Sequence, residues 1–368
     1  MSKYLKYAGR LLVLFAIFLA ILVALGFVFE PKDNTEEAGM RDVVANGALG
    51  EPAGSIDVLF AGDSICSTAF APLTMYEEQG FTSYNTASKG QKIFNSASYV
   101  DAAMDVQNPK VLVIEADVLF YGKSPMEAAY GTLMDIFPLF LYHNRWTSLT
   151  LADFTSRPHY THTEAFKGYT IVDERTPMNK PEPVEDDGLD AGRASDGAFL
   201  EDLPWDDDSD DSDTVPFIHS LFAKKMIADA QAQGARVVIV ASPCSRNWYE
   251  GRCEAVEKLC EQTGADFLDM NTQMWQDRLG LDYSTDVRDK GEHLNAAGGM
   301  KVSAALAEWL SDNYDLPDHR EDSSYDEWDE DLAEFQEKID SLVYKPYKDP
   351  GVVDTERINP RGPNDEDV

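Results

Sequence analysis

The chain has 368 residues, 43% of them hydrophobic, which is enough to bury the core of one large domain or two small ones. Its 66 acidic residues against 31 Lys and Arg give a net charge of −35, which argues against binding to nucleic acid or, through the soluble part, to anionic lipid. Four cysteines are too few for a disulfide scaffold and lack zinc-ribbon spacing, so their pairing stays open and no metal is predicted.

The N-terminal part contains an uncharged apolar run. As a helix, residues 11–29 would span about 28 Å, close to the thickness of the bilayer hydrocarbon. Three basic residues precede the run, so the positive-inside rule places residues 1–10 in the cytoplasm and the rest of the chain outside. A signal peptide cleaved near residues 24–26 is the alternative. We expect an uncleaved single-pass anchor in the cytoplasmic membrane, followed by a linker over 30–54.

Short apolar runs alternate with helical patterns along the rest of the chain. The runs lie at 58–61, 111–116, 236–241 and 264–270, and a further short strand is expected at 84–85. Continuous apolar runs of this length are typical of parallel strands that are covered on both faces. Because crossovers between parallel strands are right-handed, the pattern predicts a three-layer αβα sandwich over 55–345.

A long insertion, 121–215, separates the third and fourth strands. Its first part is aromatic and apolar, and we expect it to pack on the domain. Its second part, 180–214, is rich in Pro, Asp and Glu, which predicts a disordered acidic loop. The tail, 346–368, has a similar composition and the same prediction.

A serine and a histidine fall at the same predicted edge of the sheet. Ser64 follows the first strand in a Gly-Asp-Ser turn, and His293 lies in a polar loop after the last strand. Sites in such sheets form beyond the carboxyl ends of the strands. A hydroxyl beside an imidazole that is oriented by a carboxylate suits acyl transfer through serine. Either Asp289 or Asp286 could orient the imidazole.

Candidate oxyanion donors are the backbone N–H groups of Ser64 and Gly90, with Gln91 nearby. In the insertion, His143 and Arg145 are candidates for contact with substrate, although local pairing is the alternative. No glycine-rich phosphate loop follows a strand, so neither a nucleotide nor another cofactor is predicted.

These residues resemble a known family. The Gly62-Asp63-Ser64 turn, Gly90, and Asp289 with His293 are similar to the SGNH/GDSL hydrolase superfamily. The stretches 85–91 and 293–298 resemble a membrane-anchored bacterial branch of it, and the resemblance covers most of 55–345. It implies a flavodoxin-like αβα sandwich, with Ser64 as nucleophile, His293 as base and Asp289 as the orienting acid.

The resemblance also implies a function. Members of the superfamily cleave or transfer acyl groups on esters, including acetyl groups on polysaccharides. Anchored relatives work beside membrane-bound O-acyltransferases that modify cell-envelope polymers. We therefore expect an extracytoplasmic serine-type esterase or O-acyl (acetyl) transferase that acts on a cell-envelope polysaccharide. The alternative is a non-catalytic module that binds glycan or a membrane-bound O-acyltransferase.

Two positions depart from the family pattern. After the third strand the family has Gly-x-Asn-Asp, whose Asn donates to the oxyanion, whereas this chain has Glu115-Ala116-Asp117. An ionised carboxylate cannot donate a hydrogen bond, so the oxyanion hole must be built from other groups. The spacing from Asp289 to His293 is four residues, where three is usual in the family.

Overall fold

The computed structural model describes two compact units of the chain. One contains Met1–Val43 and Ser124–Thr161, and the other contains Val44–Lys123 and His162–Val368. The described residues are 2–35, 37–40, 42–122, 126, 129, 133, 138–162, 166–176, 214–243, 248 and 250–346. The predictions for the acidic loop up to 213, and for the tail from 347, fall on residues outside these ranges.

The helices and strands of the described residues follow in chain order. They are α1 (Ser2–Phe29), β1 (Val58–Ala61), α2 (Ser64–Ala69), α3 (Pro72–Gln79), β2 (Ser83–Asn85), α4 (Ile93–Gln107), β3 (Val111–Glu115), α5 (Pro138–Tyr142), β4 (Glu174–Arg175), α6 (Phe217–Ala232), β5 (Arg236–Ala241), α7 (Glu250–Thr263), β6 (Asp266–Asp269), α8 (Gln273–Leu279), β7 (Val287–Arg288), β8 (His293–Leu294), α9 (Ala296–Asn313), α10 (Asp326–Asp340) and β9 (Lys345–Pro346).

The first unit contains α1, α5 and short 3-10 turns. In the described part of the chain, α1 is the one helix long and apolar enough to cross a membrane. The short helix α5 packs against it. The described residues 138–161 of the insertion therefore belong with the N-terminal helix, whose apolar surface they contact, whereas the sequence predicted that this aromatic part packs on the α/β domain.

The second unit is built on a five-stranded parallel sheet in the order β2–β1–β3–β5–β6. This is the strand order of flavodoxin-like doubly wound folds, and the crevice outside the carboxyl ends of β1 and β3 lies where the order reverses. All residues of β1 and β3 are buried. The predicted class of fold is thus confirmed in its central sheet.

Helices cover both faces of this sheet. Neighbouring residues of β1 point to opposite faces, so Leu59 joins one core cluster while Val58 and Phe60 join the other. The first cluster contains apolar residues of α4, α6 and α7, and the second contains those of α8 and α9. The result is the expected three-layer αβα sandwich.

The folded part of this unit begins earlier than the predicted linker allows. Ala45 and Ala48 are 0% exposed. The hydroxyl of Tyr84 in β2 donates to the carbonyl oxygen of Val44 at 2.9 Å. Small side chains between residues 44 and 54 are thus buried in the domain. Composition alone does not distinguish such a segment from a linker.

Candidate active site

The turn after β1 presents Ser64 through tight local packing. A Cβ on Gly62 would lie 2.4 Å from the Cβ of Cys66 and 3.0 Å from that of Glu115, so only glycine fits there. The carboxylate of Asp63 accepts a hydrogen bond from the N–H of Ile65 at 2.9 Å and caps α2. Ser64 is thereby fixed as the first residue of that helix.

Asn85, at the end of β2, holds the nucleophile helix from beneath. Its amide nitrogen donates to the carbonyl oxygens of Cys66 at 2.9 Å and Phe70 at 3.0 Å. Its amide oxygen accepts from the N–H of Ala87 at 3.1 Å. This buried amide links both ends of α2 to the loop that carries Gly90.

His293 lies in a two-stranded hairpin in which β7 and β8 pair antiparallel, with His293 opposite Arg288. The turn between the strands contains Asp289 with a φ of +53°, a left-handed conformation that is uncommon for a residue other than glycine. This conformation lets the carboxylate of Asp289 reach the imidazole of His293, although the two residues are four positions apart. Helix α2 contacts β8, which brings the two halves of the site together.

The contacts of Asn295 and Gly298 give a physical reason for the stretch 293–298, which has the pattern His-Leu-Asn-x-x-Gly. Asn295 caps α9 by accepting from the N–H groups of Ala297 at 3.0 Å and Gly298 at 3.2 Å. A Cβ on Gly298 would lie 2.3 Å from the carbonyl oxygen of Asp286. The cap and the close approach together place the hairpin, and with it His293, at the start of α9.

Ser64, His293 and Asp289 form a continuous hydrogen-bonded row. The Oγ of Ser64 lies 2.9 Å from Nε2 of His293, and Nδ1 of His293 lies 3.1 Å from Oδ2 of Asp289. This geometry suits a neutral imidazole that donates from Nδ1 to the carboxylate and accepts the serine proton at Nε2. It is the arrangement that serine esterases use to activate a hydroxyl.

Asp286, the other candidate for orienting the imidazole, is engaged elsewhere. Its Oδ2 lies 2.8 Å from Nζ of Lys301 and accepts from the N–H of Asp282 at 2.7 Å. The alternative left open by the sequence is thereby resolved in favour of Asp289.

The loop after β2 divides the candidate oxyanion donors. Within the described residues, the N–H groups of Ser64 and Gly90 donate to no protein acceptor. Gln91 behaves differently: its N–H donates to Ser88 O at 3.1 Å, and its amide donates to Thr86 O at 3.2 Å and Ser96 Oγ at 2.9 Å. Gln91 therefore holds the loop, whereas Gly90, with a φ of +72°, presents its backbone.

Three carboxyl groups, those of Asp63, Glu115 and Asp117, lie close together at the nucleophile turn. Glu115 is 0% exposed; it accepts from the N–H of Asp117 at 2.8 Å and from the hydroxyl of Ser242 at 3.2 Å. Burial, together with the charge of Asp117, raises its pKa to about 8. Burial also raises the pKa of Asp63 well above its usual range, and the charges of Asp117 and Glu115 add to the shift.

The guanidinium of Arg252 pairs with this cluster. Nη1 of Arg252 lies 3.1 Å from Oδ1 of Asp117, and both side chains are largely buried. A side-chain interaction with Asp117 also contributes to the raised pKa of Asp63, and a raised pKa favours the protonated form. We therefore assign Asp63 as the neutral partner that donates to Asp117, and Oδ1 of Asp117 in turn accepts from Arg252.

The two residues proposed from the insertion lie in the first unit. Nδ1 of His143 is 2.8 Å from the carbonyl oxygen of Phe140. Arg145 is buried, pairs with Asp153 at 3.1 Å and donates to the carbonyl oxygen of Phe29. Local pairing is therefore present for both, and contact with substrate stays a prediction.

The sequence also missed residues of the site. Asn85 is the last residue of β2, at the carboxyl edge of the sheet, and that position is a signal that could have identified it. Nothing in the sequence pairs Arg252 with Asp117, 135 residues away. A metal was not expected, yet Asp289, Glu292 and His293 place ligand atoms within 4.8 Å of one another and could hold a cation.

Comparisons with known proteins find likenesses among solved structures. No family profile and no curated protein matches the chain. Among solved structures, a putative acylhydrolase from Bacteroides fragilis is 10% identical, covering 73% of this chain and 92% of that one at a TM-score of 0.35. A lipase/acylhydrolase from Enterococcus faecalis is 9% identical, covering 71% and 97% at 0.34.

A third solved structure, the acetyl xylan esterase AlAXEase, is 14% identical, covering 69% of this chain and 98% of that one at a TM-score of 0.34. The sheet order and the site geometry described above, rather than likenesses at this level, define the class. The second unit is a doubly wound α/β domain with a serine, histidine and aspartate at its switch point.

Proposed function

We propose that the protein is an SGNH-type serine esterase or O-acyl transferase, anchored by α1, whose domain acts outside the cytoplasmic membrane on an acylated cell-envelope polysaccharide. The observation that carries the chemistry is the row Ser64–His293–Asp289, with distances of 2.9 and 3.1 Å. The basic residues before the apolar run support the outward orientation.

Each group has a role in this reaction. His293 takes the proton of Ser64 as Oγ attacks the acyl carbonyl, and Asp289 stabilises the imidazolium. The N–H groups of Ser64 and Gly90 bind the oxyanion. The intermediate then expels the sugar alcohol, protonated by His293, and leaves an acyl group on Ser64. Water or a second hydroxyl, deprotonated by His293, attacks this ester and regenerates the serine.

The test is labelling of the serine and cleavage of a simple ester. A fluorophosphonate probe should label the wild type at Ser64, identified by peptide mass, and hydrolysis of p-nitrophenyl acetate should depend on the same residue. Ser64→Ala should abolish labelling and lower kcat by about 10³-fold or more. Ser341→Ala, on an exposed serine after α10, is the matched control and should label like the wild type.

A folded wild type that the probe does not label would overturn the catalytic proposal and favour the non-catalytic binding module. Intact-mass detection of an acyl adduct on Ser64 with acetylated xylan or an acetylated peptidoglycan fragment would identify the donor. Release of free acid, or of a newly acylated sugar, then distinguishes hydrolysis from transfer.

A further inference from the structure

A patch of the first unit lies against the C-terminal third of α1. In the described part of that helix, Leu22 and Gly26 are the buried residues, and they share one face because they are four positions apart. The helix α5 packs on α1. Gly26 lies about 5 Å and Leu22 about 10 Å before the end of α1 at Phe29, at the helical rise of about 1.5 Å per residue.

Two charged side chains at this end of α1, Arg145 and Asp153, pair with each other within the unit. Arg145 is 8% exposed; it donates to the carbonyl oxygen of Phe29 and pairs with Asp153. The carboxylate of Asp153 also accepts from the N–H of Thr150 at 2.6 Å. The arginine thus caps a helix end whose carbonyls have no intrahelical partner. Internal pairing of this kind is what contact with lipid requires of polar groups.

Large apolar side chains flank these paired charges and face outward. Trp146, next to Arg145, is 71% exposed, Phe154, next to Asp153, is 57% exposed, and Leu151 is 83% exposed. Because Arg145 reaches the last turn of α1, Trp146 lies near the level at which that helix would leave the membrane. Tryptophan is enriched at that level in membrane proteins.

We propose that residues 138–154 lie in the outer leaflet of the bilayer that α1 spans, with Trp146, Leu151 and Phe154 in contact with lipid. This rests on the proposed anchoring by α1. If residues 11–29 occupy the hydrocarbon, then whatever covers Leu22 and Gly26 enters the acyl region. The protein would contact the membrane through a second, interfacial element as well as through its helix, and the partner of this surface is the lipid itself.

The test uses the full chain in phosphatidylcholine vesicles whose acyl chains carry bromine, a collisional quencher of tryptophan. The wild type should lose a fraction of its tryptophan fluorescence relative to unbrominated vesicles. In Trp146→Phe this fraction should fall by at least half. Trp309→Phe, in α9 of the other unit, is the matched control and should keep the wild-type fraction. Adding Leu151→Trp to Trp146→Phe should restore quenching.

Equal quenching in the wild type and in Trp146→Phe, without a gain from Leu151→Trp, would overturn the proposal. Failure of the chain to float with the vesicles would overturn it together with the anchoring. If a protein rather than lipid covers the surface, Trp146 emits as a water-exposed residue in these vesicles and is not quenched, which also overturns it. Labelling of Ser64 in the same samples reports independently on the catalytic proposal.

Discussion

The pKa values of two buried glutamates in the α/β unit are shifted in opposite directions. The side chains of Glu51 and Glu115 are both 0% exposed. Burial raises the pKa of Glu115 to about 8, and the charge of Asp117 adds to this effect. Burial acts on Glu51 in the same sense, but a hydrogen bond from His162 and the charge of Lys167 outweigh it, so its pKa is lowered.

The difference shows that the balance of partners, rather than burial, sets the charge state. Around Glu51, Lys167 Nζ lies 2.9 Å from that carboxylate and 2.8 Å from Asp331, and His162 lies 3.0 Å from Glu51. This group, the Lys167 cluster, ties residues from three parts of the chain together. At the nucleophile turn, Asp63, Glu115 and Asp117 lie close together, and the raised pKa values of Asp63 and Glu115 favour their neutral forms.

The largest expected effect is on stability, and it comes from removing the cation of the Lys167 cluster. Lys167→Met should lower the free energy of unfolding by about 3–5 kcal/mol, because it leaves two carboxylates without their buried partner. Chemical denaturation of the full chain in detergent measures this. Arg236→Met, which breaks the exposed pair with Asp266, should cost at most about 1 kcal/mol.

Restoring the balance of charge should offset part of this loss. Adding Glu51→Gln to Lys167→Met removes one of the two carboxylates that lost the lysine, so the double variant should be more stable than Lys167→Met alone. If Lys167→Met were as stable as Arg236→Met, the buried lysine would contribute no more than an exposed ion pair. That result would contradict the contrast between the Lys167 cluster and the carboxyl groups at the nucleophile turn.

The next effect separates a neutral from an ionised acid at Asp63. Asp63→Ala removes the cap of α2 and should cost about 0.5–2 kcal/mol. Displacement of Ser64 should then slow ester cleavage about tenfold to a hundredfold. Asp63→Asn should keep near wild-type stability and activity, because its oxygen still accepts from Ile65 and its nitrogen donates to Asp117.

Hydrolysis of p-nitrophenyl acetate and urea unfolding measure both variants side by side. An Asn variant as slow as the Ala variant would mean that Asp63 acts as an anion, contrary to its assignment as the protonated member of the pair.

How far the sequence predicts this molecule depends on the range of each interaction. The strands were predictable because their apolar runs are local, and Ser64 and His293 because the ends of parallel strands share one edge. The Lys167 cluster was not, because Glu51 and Lys167 are 116 residues apart in the chain. Asp63 was predicted only as a turn residue, since its raised pKa comes from burial and from the charges of Asp117 and Glu115, which arise only in the fold.

The carboxyl groups at the nucleophile turn should also affect the pH dependence of stability. Because the pKa of Glu115 is raised, its stabilising contribution is fully present below about pH 4.5 and is lost as pH rises through about 8. Glu115→Gln is a neutral analogue of the protonated acid, and its amide oxygen can still accept from the N–H of Asp117. The free energy of unfolding of this variant should therefore fall less than that of the wild type between about pH 5 and about pH 8.5.

Thermal unfolding across this range measures the two slopes. Equal slopes in the wild type and in Glu115→Gln would show that Glu115 is ionised in the fold throughout, which would remove the contrast with Glu51.

The smallest expected effect comes from the imidazole of His162 in the Lys167 cluster. The hydrogen bond to Glu51 raises the pKa of His162, against a smaller opposing effect of burial. Its stabilising contribution is therefore fully present below about pH 6.5 and is lost as pH rises through the folded-state value. His162→Gln should cost up to about 1 kcal/mol at about pH 5.5 and much less at about pH 9, since the side chain is partly exposed.

In a Glu51→Gln background the same substitution should change the pH slope less, because the hydrogen bond that raises the pKa is weakened once its acceptor is no longer a carboxylate. An unchanged slope in that background would assign the effect to Asp331 and Glu327, which lie 3.6 and 3.5 Å from the imidazole.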